Sequence, residues 1–584
     1  MDRNTLLAFA LSMLVFIGYV SYQEQRRSEM LAEAERQARQ LATEEGISAD
    51  AAVEGQVVAE GGEPDRASPP SGDAREVAKA DAEATVGEAA ASAEESATGF
   101  IPRHETTLRN DRIVAVISNA PAMIESWKLL DFMEYVPEGE IPIDLVEDGF
   151  PVLVTSVKGV PGADFTTANF EVVSESERAV TQVARNASGR LTRTLRIDES
   201  GYGFDLELEF ESRWRDGVDA SFDLRWPAAV SEREDFKQIS LIAYSEDEGV
   251  TRSAVPGVGQ PGIFGFGGAK DGIERVEGPV RWAGFDIQYF VGVVIDPAEI
   301  PRLNVVFEAI EPRKSAEAEM TLPSVSLGSG AVASESLRGF FGPKAPEALA
   351  TANHGLAHSV NRGWSWLEPL TRLFEIALDW LYALVPNYGV AIILLTILVR
   401  IFTAPLMAKQ MRSSERMRAL QPQLAELKER YKDDPRKQSE ETMKLYRQEG
   451  VNPISGCLPL LFQFPVLIGL FYSLRSSIAL RHAPFALWIT DLSQPATLFV
   501  LPGVDLPVRI LPLIMAGSMY VQQKMTPTTG MDPAQARMMQ IMMPGMMLLF
   551  SYTFPSGLVL YWTVSNLLGI AQQIWIRKHT EAAS

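Results

Sequence analysis

A single arginine inside a long apolar run is the residue of this sequence with the clearest potential for chemistry. Arg400 lies within residues 384–410, LVPNYGVAIILLTILVRIFTAPLMAKQ, which otherwise have the composition of a membrane-spanning helix. At a rise of about 1.5 Å per residue, Arg400 would lie roughly 18 Å from Tyr388 and roughly 14 Å from Lys409, inside the hydrocarbon. An arginine at this depth costs about 2.5–3.5 kcal/mol on insertion scales and normally faces protein or a water-filled cavity. The sequence therefore predicts a positively charged polar groove within the membrane.

Two threonines are placed to share this groove. Thr396, Arg400 and Thr403 stand at i, i+4 and i+7, so they lie on one face of a helix. The alternative is a tolerated charge whose guanidinium reaches for the nearest headgroups. Because helical side chains lean toward the N-terminus, a cytoplasmic position of the basic residues after Met407 would direct Arg400 away from the nearer surface. That geometry hinders the guanidinium from reaching the nearest headgroups and therefore favours a functional polar groove.

Other residue types give little sign of catalysis or metal binding. The single cysteine, Cys457, lies in an apolar run with no base nearby, which is typical of a packing residue. Among the histidines, only His354 and His358 have helical ligand spacing, and no acidic ligand neighbours them. The net charge of −22 argues against general nucleic-acid binding. We therefore predict no enzyme activity, no cofactor, no metal site and no direct DNA binding.

The N-terminal part of the chain divides into an anchor and a linker. Residues 1–23 contain an apolar stretch without a clear cleavage site, which predicts an uncleaved membrane anchor. Residues 24–99 are rich in Ala, Glu, Gln, Ser and Gly and contain no aromatic residue. Such a composition cannot bury enough apolar surface to offset ordering, so we predict a disordered linker.

Residues 100–345 contain short alternating runs separated by turn residues. The clearest runs cover residues 112–119, 191–198, 203–214, 286–296 and 303–310. Alternation of this kind predicts an antiparallel β-sandwich domain. The Gly-rich residues 257–268 lack the lysine of a phosphate loop and are predicted to form an ordinary loop. Since His104 is the only histidine in this domain, a binding or spacing role is preferred to hydrolysis.

An amphipathic helix is predicted within residues 355–384. Its apolar face comprises Trp366, Leu370, Leu373, Phe374, Ala377, Leu378 and Leu381. We predict that this helix lies along the membrane surface before the chain turns inward at Pro386. The alternative is a helix packed on the β domain.

Residues 385–579 are predicted to form a polytopic helical bundle. After the arginine-containing span, apolar stretches recur at 458–474, 510–521, 538–554 and 557–576, which with the N-terminal anchor makes six spans. Residues 409–450 carry eleven Lys and Arg and are predicted to form a helical hairpin that is broken at 433–436. By the positive-inside rule, the hairpin and both termini are cytoplasmic, and the β domain is outside.

The predicted spans are short, and polar residues recur in them or at their edges. Seventeen residues cover roughly 26 Å, against a hydrocarbon thickness of about 30 Å, so local thinning of the bilayer is expected. The polar residues are Gln463, Ser518, Gln522, Ser565, Asn566, Gln572 and Gln573. Each alone is more often a link between helices, but together with Arg400 they indicate a shared wet cavity. The span at 538–554 holds six methionines, which suit either varied apolar partners or an ordinary membrane core.

Several motifs of the C-terminal region resemble one known family. They are NYGVAIILLTILVR with TAPLMAKQ at 387–410, LQPQLAELKERYKDD at 420–434, VNPISGCLPLLFQFP at 451–465, APFALWITDLS at 483–493, QQKMTPTT at 522–529 and FPSGLVLYWTVSNLLGIAQQ at 554–573. In this unbroken order they resemble the YidC family of membrane protein insertases, in the Gram-negative form with a large periplasmic domain. The region before them is similar to that family in position and in its β character.

The resemblance implies a multi-domain α+β membrane protein of the bacterial inner membrane, with a supersandwich-like periplasmic domain similar to sugar-binding mutarotases. It also implies a groove that opens to the cytoplasm and to lipid, with Arg400 as its central charge. Family positions that line the groove or contact the incoming helix correspond to Thr396, Gln463, Phe464, Leu467, Phe550, Tyr561 and Trp562. Leu467 stands where an aromatic residue is usual, and Trp562 stands where tyrosine is usual. Implied partners are nascent membrane proteins, the Sec translocon, membrane lipids and, through the hairpin, ribosome or targeting factors.

The combined hypothesis is an insertase that makes and breaks no covalent bond. A wet groove would let a hydrophilic segment cross only part of the hydrocarbon, while Arg400 attracts acidic residues in that segment. The apolar helix of the substrate would slide along Met- and Phe-bearing spans into lipid, driven by burial of its surface. The alternatives are a secondary transporter, in which Arg400 binds an anion, and a scaffold whose β domain recruits partners. Against a transporter, the spans show no paired interrupted helices and no acidic residue for proton coupling. Against a scaffold, spans that only anchor the β domain would not need so many polar residues.

Overall fold

The computed structural model describes residues 101–581, apart from 137–138, 216, 232, 234–235, 237, 259–271, 433, 451–457, 502–505 and 526–532. The predicted anchor at 1–23, the predicted linker at 24–99, most of the Gly-rich residues 257–268 and Cys457 lie outside the described residues. The described chain consists of a β domain followed by a helical region.

The β domain is built from two antiparallel sheets. Its strands are β1 (Glu105–Arg109), β2 (Ile113–Ser118), β3 (Ala122–Val136), β4 (Gly139–Asp144), β5 (Val152–Lys158), β6 (Glu171–Glu175), β7 (Ala179–Asn186), β8 (Gly189–Ile197), β9 (Gly203–Ser212), β10 (Val218–Ala229), β11 (Ser240–Ser245), β12 (Gly249–Ala254), β13 (Ile273–Arg275), β14 (Val280–Asp286), β15 (Phe290–Ile295), β16 (Asn304–Glu311), β17 (Ser315–Thr321), β18 (Val325–Leu327) and β19 (Val332–Pro343). The first sheet has the order β1-β2-β3-β5-β10-β17-β16-β13, with β4 paired to β3 and β18 paired to β10. The second has the order β12-β11-β14-β15-β19-β9-β8-β7-β6.

The two sheets pack face to face through large aromatic side chains. Along β8 every second residue is buried, as the alternation of its sequence predicts. Trp127 of the first sheet stacks on Phe341 of the second with ring centroids 5.3 Å apart, and its indole nitrogen donates to the Phe341 carbonyl oxygen at 2.8 Å. Trp226 meets the same phenylalanine edge-on at 5.4 Å. The predicted antiparallel β-sandwich is confirmed.

The run at residues 286–296 forms parts of two strands rather than one. β14 ends at Asp286 and β15 begins at Phe290, and between them the Ile287 amide donates to the Phe290 carbonyl oxygen at 3.1 Å. Every residue of both strands is buried. Because the turn contains neither glycine nor proline and is flanked by apolar residues on both sides, the sequence pattern did not reveal it.

A buried arginine links the two sheets. Arg193 of β8 is fully buried, and its guanidinium carbon lies 3.7 Å from the ring centroid of Phe170. Its nitrogens donate to the Gln182 side-chain oxygen at 2.8 Å and to the carbonyl oxygens of Pro121 at 2.9 Å and Ala120 at 2.6 Å. Burial lowers the pKa of this guanidinium to about 9, so it remains charged at neutral pH. Because Ala120 and Pro121 lie in the loop after β2, this side chain joins the second sheet to the first.

The helical region follows the β domain directly. Its helices are α1 (Pro346–Ala352), α2 (Glu368–Leu384), α3 (Tyr388–Ala419), α4 (Gln421–Arg430), α5 (Pro435–Gln448), α6 (Leu458–Ser476), α7 (Ile510–Met525), α8 (Pro533–Ser551) and α9 (Ser556–Glu581), and a short hairpin joins β20 (Phe499–Leu501) to β21 (Leu506–Val508). α9 packs against α7 and α3, and α2 packs against α6 and α3. Their shared core includes Leu395, Met515 and Leu558.

One segment of the described chain, Tyr388–Pro405, is long and apolar enough by itself to cross a membrane, and a shorter apolar helical segment covers Gln540–Ser551. Helices α6, α7, α8 and α9 occupy the other apolar stretches predicted in the C-terminal region. The count of six spans therefore stays a prediction.

The helix that contains Arg400 extends past residue 409, where the predicted hairpin at 409–450 begins. α3 continues to Ala419 and includes the first basic residues of the hairpin. The chain breaks at Leu420 because Pro422 lies in the first turn of α4, where it cannot continue the preceding helix. α4 and α5 then pack through Leu420, Leu424 and Tyr446. α4 ends at Arg430 and α5 begins at Pro435, and the Asp434 carboxylate caps α5 at the Lys437 amide.

Helix α2 is shorter than predicted and has two apolar faces instead of one. Phe374, Leu378 and Leu381 are buried in the helical core. Leu373, predicted on the same face, is exposed together with Trp380, of which 59% is exposed. The buried stripe is narrower than the apolar surface of the helix, so a second apolar face is exposed.

Candidate intramembrane site

The guanidinium of Arg400 is held by helix α9. Its Nε donates to the Ser565 hydroxyl at 3.2 Å, and its Nη2 donates to the same hydroxyl at 2.8 Å and to the Ser565 carbonyl oxygen at 2.6 Å. The arginine is half-buried. Within the part of the chain that the structure describes, no carboxylate lies within 4.0 Å of this guanidinium. The charge is therefore oriented by neutral groups and not neutralised by an acidic side chain.

Small residues of α9 allow the close approach of three helices. Ser565 and Gly569 stand one turn apart, and a Cβ atom at Gly569 would lie 2.9 Å from the Gln522 side-chain nitrogen and 3.4 Å from Arg400 Nη2. Small residues at a spacing of four let helix backbones approach closely within membranes. Ser565 was predicted only as one of several polar residues, and Gly569 was not predicted. The spacing Tyr561, Ser565, Gly569 was the signal available in the sequence.

Further polar groups continue this contact between α3, α7 and α9. Asn566 donates to the Ser518 hydroxyl at 3.2 Å, and Ser518 donates to the Met515 carbonyl oxygen at 2.7 Å. The Gln572 side chain reaches the Ala404 carbonyl oxygen at 3.5 Å. We call these residues, with Arg400 and Ser565, the polar seam. Its members come from three helices that are far apart in the sequence.

The two predicted threonines use their hydroxyls within α3. Thr396 is only 1% exposed and donates to the Ile392 carbonyl oxygen at 2.6 Å. Thr403 donates to the Val399 carbonyl oxygen at 2.9 Å. Both residues share the face of Arg400, but their hydroxyls are already bonded to the preceding turn.

The remaining predicted site residues divide between the core and the exposed surface. Tyr561 is buried and lies close enough to Arg400 for an electrostatic interaction, while Gln463, Leu467 and Trp562 are half-buried. Phe464 of α6 and Phe550 of α8 are 45% and 55% exposed. The structure thus brings Tyr561 to Arg400 and places the two phenylalanines on the outside of different helices.

Helix α8 presents an apolar and flexible surface. Met538, Met542 and Met546 recur every fourth residue and are exposed, as is Leu549. The Gln523 side chain of α7 approaches the Met543 sulfur at 3.0 Å. A surface of flexible, polarisable side chains can adapt to apolar partners of different shape.

Known proteins match both parts of the chain. Residues 105–375 match the family described as YidC periplasmic domain, and residues 380–583 match the family described as 60Kd inner membrane protein. The membrane protein insertase YidC of Syntrophus aciditrophicus is 32% identical over 500 residues, which are 82% of this chain and 86% of that relative. The protein of the same name from Syntrophobacter fumaroxidans is 40% identical over 310 residues, 52% of this chain. The matched part spans about half, 54%, of that second relative.

A solved structure titled "Active YidC insertase crystal structure with the first transmembrane domain resolved" is 20% identical, covers 80% of this chain and 91% of its own, and has a TM-score of 0.34. Both relatives are named membrane protein insertases. The two family models together account for the β domain and for the helical region, so the chain is an inner-membrane protein with a periplasmic domain. It belongs to the YidC family of membrane protein insertases.

Proposed function

We propose that this protein inserts nascent membrane proteins into the inner membrane through a positively charged groove along the polar seam. The observation that carries the proposal is the guanidinium of Arg400, which Ser565 orients and which has no carboxylate partner among the described residues. An acidic residue of an incoming segment can pair with this charge. The attraction is stronger than in water because the surroundings have a lower dielectric constant.

The polar seam lowers the barrier for a hydrophilic segment that must cross the membrane. Amides and hydroxyls of α7 and α9 replace part of the water that the segment loses. The sixteen residues of α7 span roughly 24 Å, which is less than the usual hydrocarbon thickness of about 30 Å. Local thinning of the bilayer around this helix would shorten the path further.

The apolar helix of the substrate leaves the groove along the exposed surfaces of α6 and α8. Phe464, Phe550 and the exposed methionines of α8 supply apolar contacts without a fixed shape. Thr396, Thr403, Gln463, Leu467, Tyr561 and Trp562 complete the proposed groove. Burial of the substrate helix in lipid then supplies the driving force.

The proposed topology has six spans, with both termini and the basic hairpin at 409–450 in the cytoplasm. On that side, α4 and α5 would contact ribosome or targeting factors. The Sec translocon is the proposed partner within the membrane, and α2 lies along the membrane surface with its second apolar face in lipid.

The direct test uses proteoliposomes that contain only this protein. A small single-span protein with a short acidic tail is synthesised in their presence, and its tail is tested for protection from external protease. We expect protected product that depends on the protein and falls when Asn and Gln replace the acidic residues of the tail. Equal protection in empty liposomes would contradict the proposed insertase activity, whereas insensitivity to tail charge would contradict only the role of the groove charge.

Crowding the polar seam is expected to impair insertion without removing any charge. Gly569→Leu places a side chain between Arg400 and Gln522, where even a Cβ atom is close. We expect insertion to fall about fivefold or more, equivalent to about 1 kcal/mol. The matched control is Gly517→Leu in α7, where a Cβ atom meets nothing within 4 Å. If both variants fold and insert like the original protein, the substrate does not pass this point.

A further inference from the structure

Two arginines line a cavity where the β domain meets the ends of the membrane helices. The cavity has a volume of about 550 Å³ and shares no lining residue with the polar seam. Gln238 and Gln288 line it from the β domain, Arg475 and Phe471 line it from α6, and Arg509 lines it just before α7. No aspartate or glutamate is among its described lining residues.

Both arginines are oriented by neutral groups. Arg509 donates to the Thr497 hydroxyl at 3.2 Å and to the Tyr552 carbonyl oxygen, and its guanidinium carbon lies 5.0 Å from the Tyr552 ring centroid. The guanidinium carbon of Arg475 lies 5.6 Å from the ring centroid of Phe471. Neither arginine forms an ion pair with a carboxylate of the described chain. Two half-buried charges on one cavity thus lack an anionic partner in the described protein.

A second cavity beside the first adds to the excess of positive charge. Its volume is about 300 Å³, and it shares Gln238, Gln288 and Arg475 with the first. Its other charged residues are Arg252, Lys344 and Asp286. Asp286 accepts a hydrogen bond from Arg252 at 2.8 Å and forms an ion pair with Lys344. This single carboxylate is already shared by two cations, so Arg475 and Arg509 remain uncompensated.

The first cavity lies at the ends of helices α6, α7 and α9, where lipid headgroups are expected. The Gln288 side chain donates to the Arg475 carbonyl oxygen at 3.2 Å in the last turn of α6. Arg509 immediately precedes α7, and Pro555 immediately precedes α9. Helices that cross the hydrocarbon have their ends near the headgroups. In the topology proposed above, the cavity therefore opens between the β domain and the outer headgroup layer.

We propose that this cavity binds a phosphate group, as a phosphodiester or as free phosphate, through Arg475 and Arg509. Guanidinium groups bind phosphate through parallel charge-assisted hydrogen bonds. The side-chain amides of Gln238 and Gln494 can donate to the remaining phosphate oxygens. Phe471 and Phe554 offer apolar surface beside the charges, which suits the start of an acyl chain. The headgroup of an anionic phospholipid satisfies all of these features, and inorganic phosphate satisfies the polar ones.

The test measures which lipid the full-length protein retains. The purified protein is mixed in detergent with equal amounts of phosphatidylglycerol and phosphatidylcholine, and retained lipid is counted by native mass spectrometry. We expect a preference for phosphatidylglycerol that falls about tenfold in the double variant Arg475→Gln with Arg509→Gln, because two charge-assisted hydrogen-bonding groups are lost. Arg196→Gln, an exposed arginine of β8 outside both cavities, is the matched control and is expected to change retention less than about twofold.

A second arm distinguishes the two sources of phosphate. Inorganic phosphate is titrated into lipid-depleted protein and followed by ³¹P NMR. A lipid preference that depends on both arginines supports a headgroup site. Phosphate binding that depends on both arginines, without a lipid preference, supports the anion site and excludes the lipid.

The proposal is overturned if the native protein shows neither the lipid preference nor phosphate binding. It is also overturned if the folded double variant retains both ligands as the native protein does. Should the double variant fail to fold, Arg475→Lys, which keeps the charge, is expected to retain the ligand with reduced affinity, and the measurements on the native protein decide the question.

Discussion

Replacing Arg400 with alanine is expected to reduce insertion of an acidic-tailed substrate by about tenfold or more. The variant removes the positive charge that pairs with the acidic residue, and hydrogen bonds to charged groups contribute about 1.5–3 kcal/mol. Arg400→Lys keeps the charge but loses the two-nitrogen contact with Ser565, so partial recovery is expected. The measurement is protease-protected product in proteoliposomes that hold each variant alone.

The control for this experiment is Arg416→Ala, which removes an exposed arginine from the same helix beyond the apolar segment Tyr388–Pro405. It is expected to insert like the original protein. Arg400→Ala is expected to unfold at about the temperature of the original protein, because removing a half-buried charge without a carboxylate partner also removes its desolvation cost. Thermal unfolding thus separates a loss of function from a loss of structure. Equal insertion by the original protein, Arg400→Ala and Arg400→Lys would show that insertion depends on the polarity of the groove and on membrane thinning, and not on the charge of residue 400.

Replacing Arg193 with leucine is expected to lower the free energy of unfolding of the β domain by about 3 kcal/mol or more. The substitution removes the donors that satisfy the Gln182 side-chain oxygen and the carbonyl oxygens of Ala120 and Pro121. A buried polar group left without a partner costs about 1–3 kcal/mol, and several are left here. Near-ultraviolet circular dichroism of the purified full chain would report the transition, because Trp127, Trp226 and Trp282 are all buried in this domain.

The matched variant for Arg193 is Arg196→Gln, on the exposed face of the same strand. It is expected to change the free energy of unfolding by less than about 0.5 kcal/mol, as is usual for surface positions. If Arg193→Leu unfolds at the same temperature as the original protein, the guanidinium does not stabilise the contact between the sheets. The apolar packing of the leucine would then stabilise the domain as much as the buried arginine does, as is known for apolar replacements of some buried ion pairs.

Local patterns determined which segments became strands and which became helices. The period of two along β8 placed alternate residues in the core, because successive side chains of a strand point to opposite sides. The apolar run around Arg400 became part of one long helix. Asp434 and Pro435 began the second helical arm, because a cap and a proline act on their own backbone. Family motifs in the sequence also identified the insertase family that the comparisons confirm.

Only the tertiary structure decided which distant residues meet. β9 pairs with β19, so Glu211 stands opposite Val332, and Arg400 finds Ser565 on the last helix. Neither pairing follows from periodicity, because strand order and helix contacts depend on how whole surfaces fit together. The same holds for Arg193, whose charged side chain is buried because carbonyl oxygens of the other sheet lie within reach. The sequence by itself determined the local elements and singled out the charge at residue 400, while the partners that orient each buried charge were decided by packing.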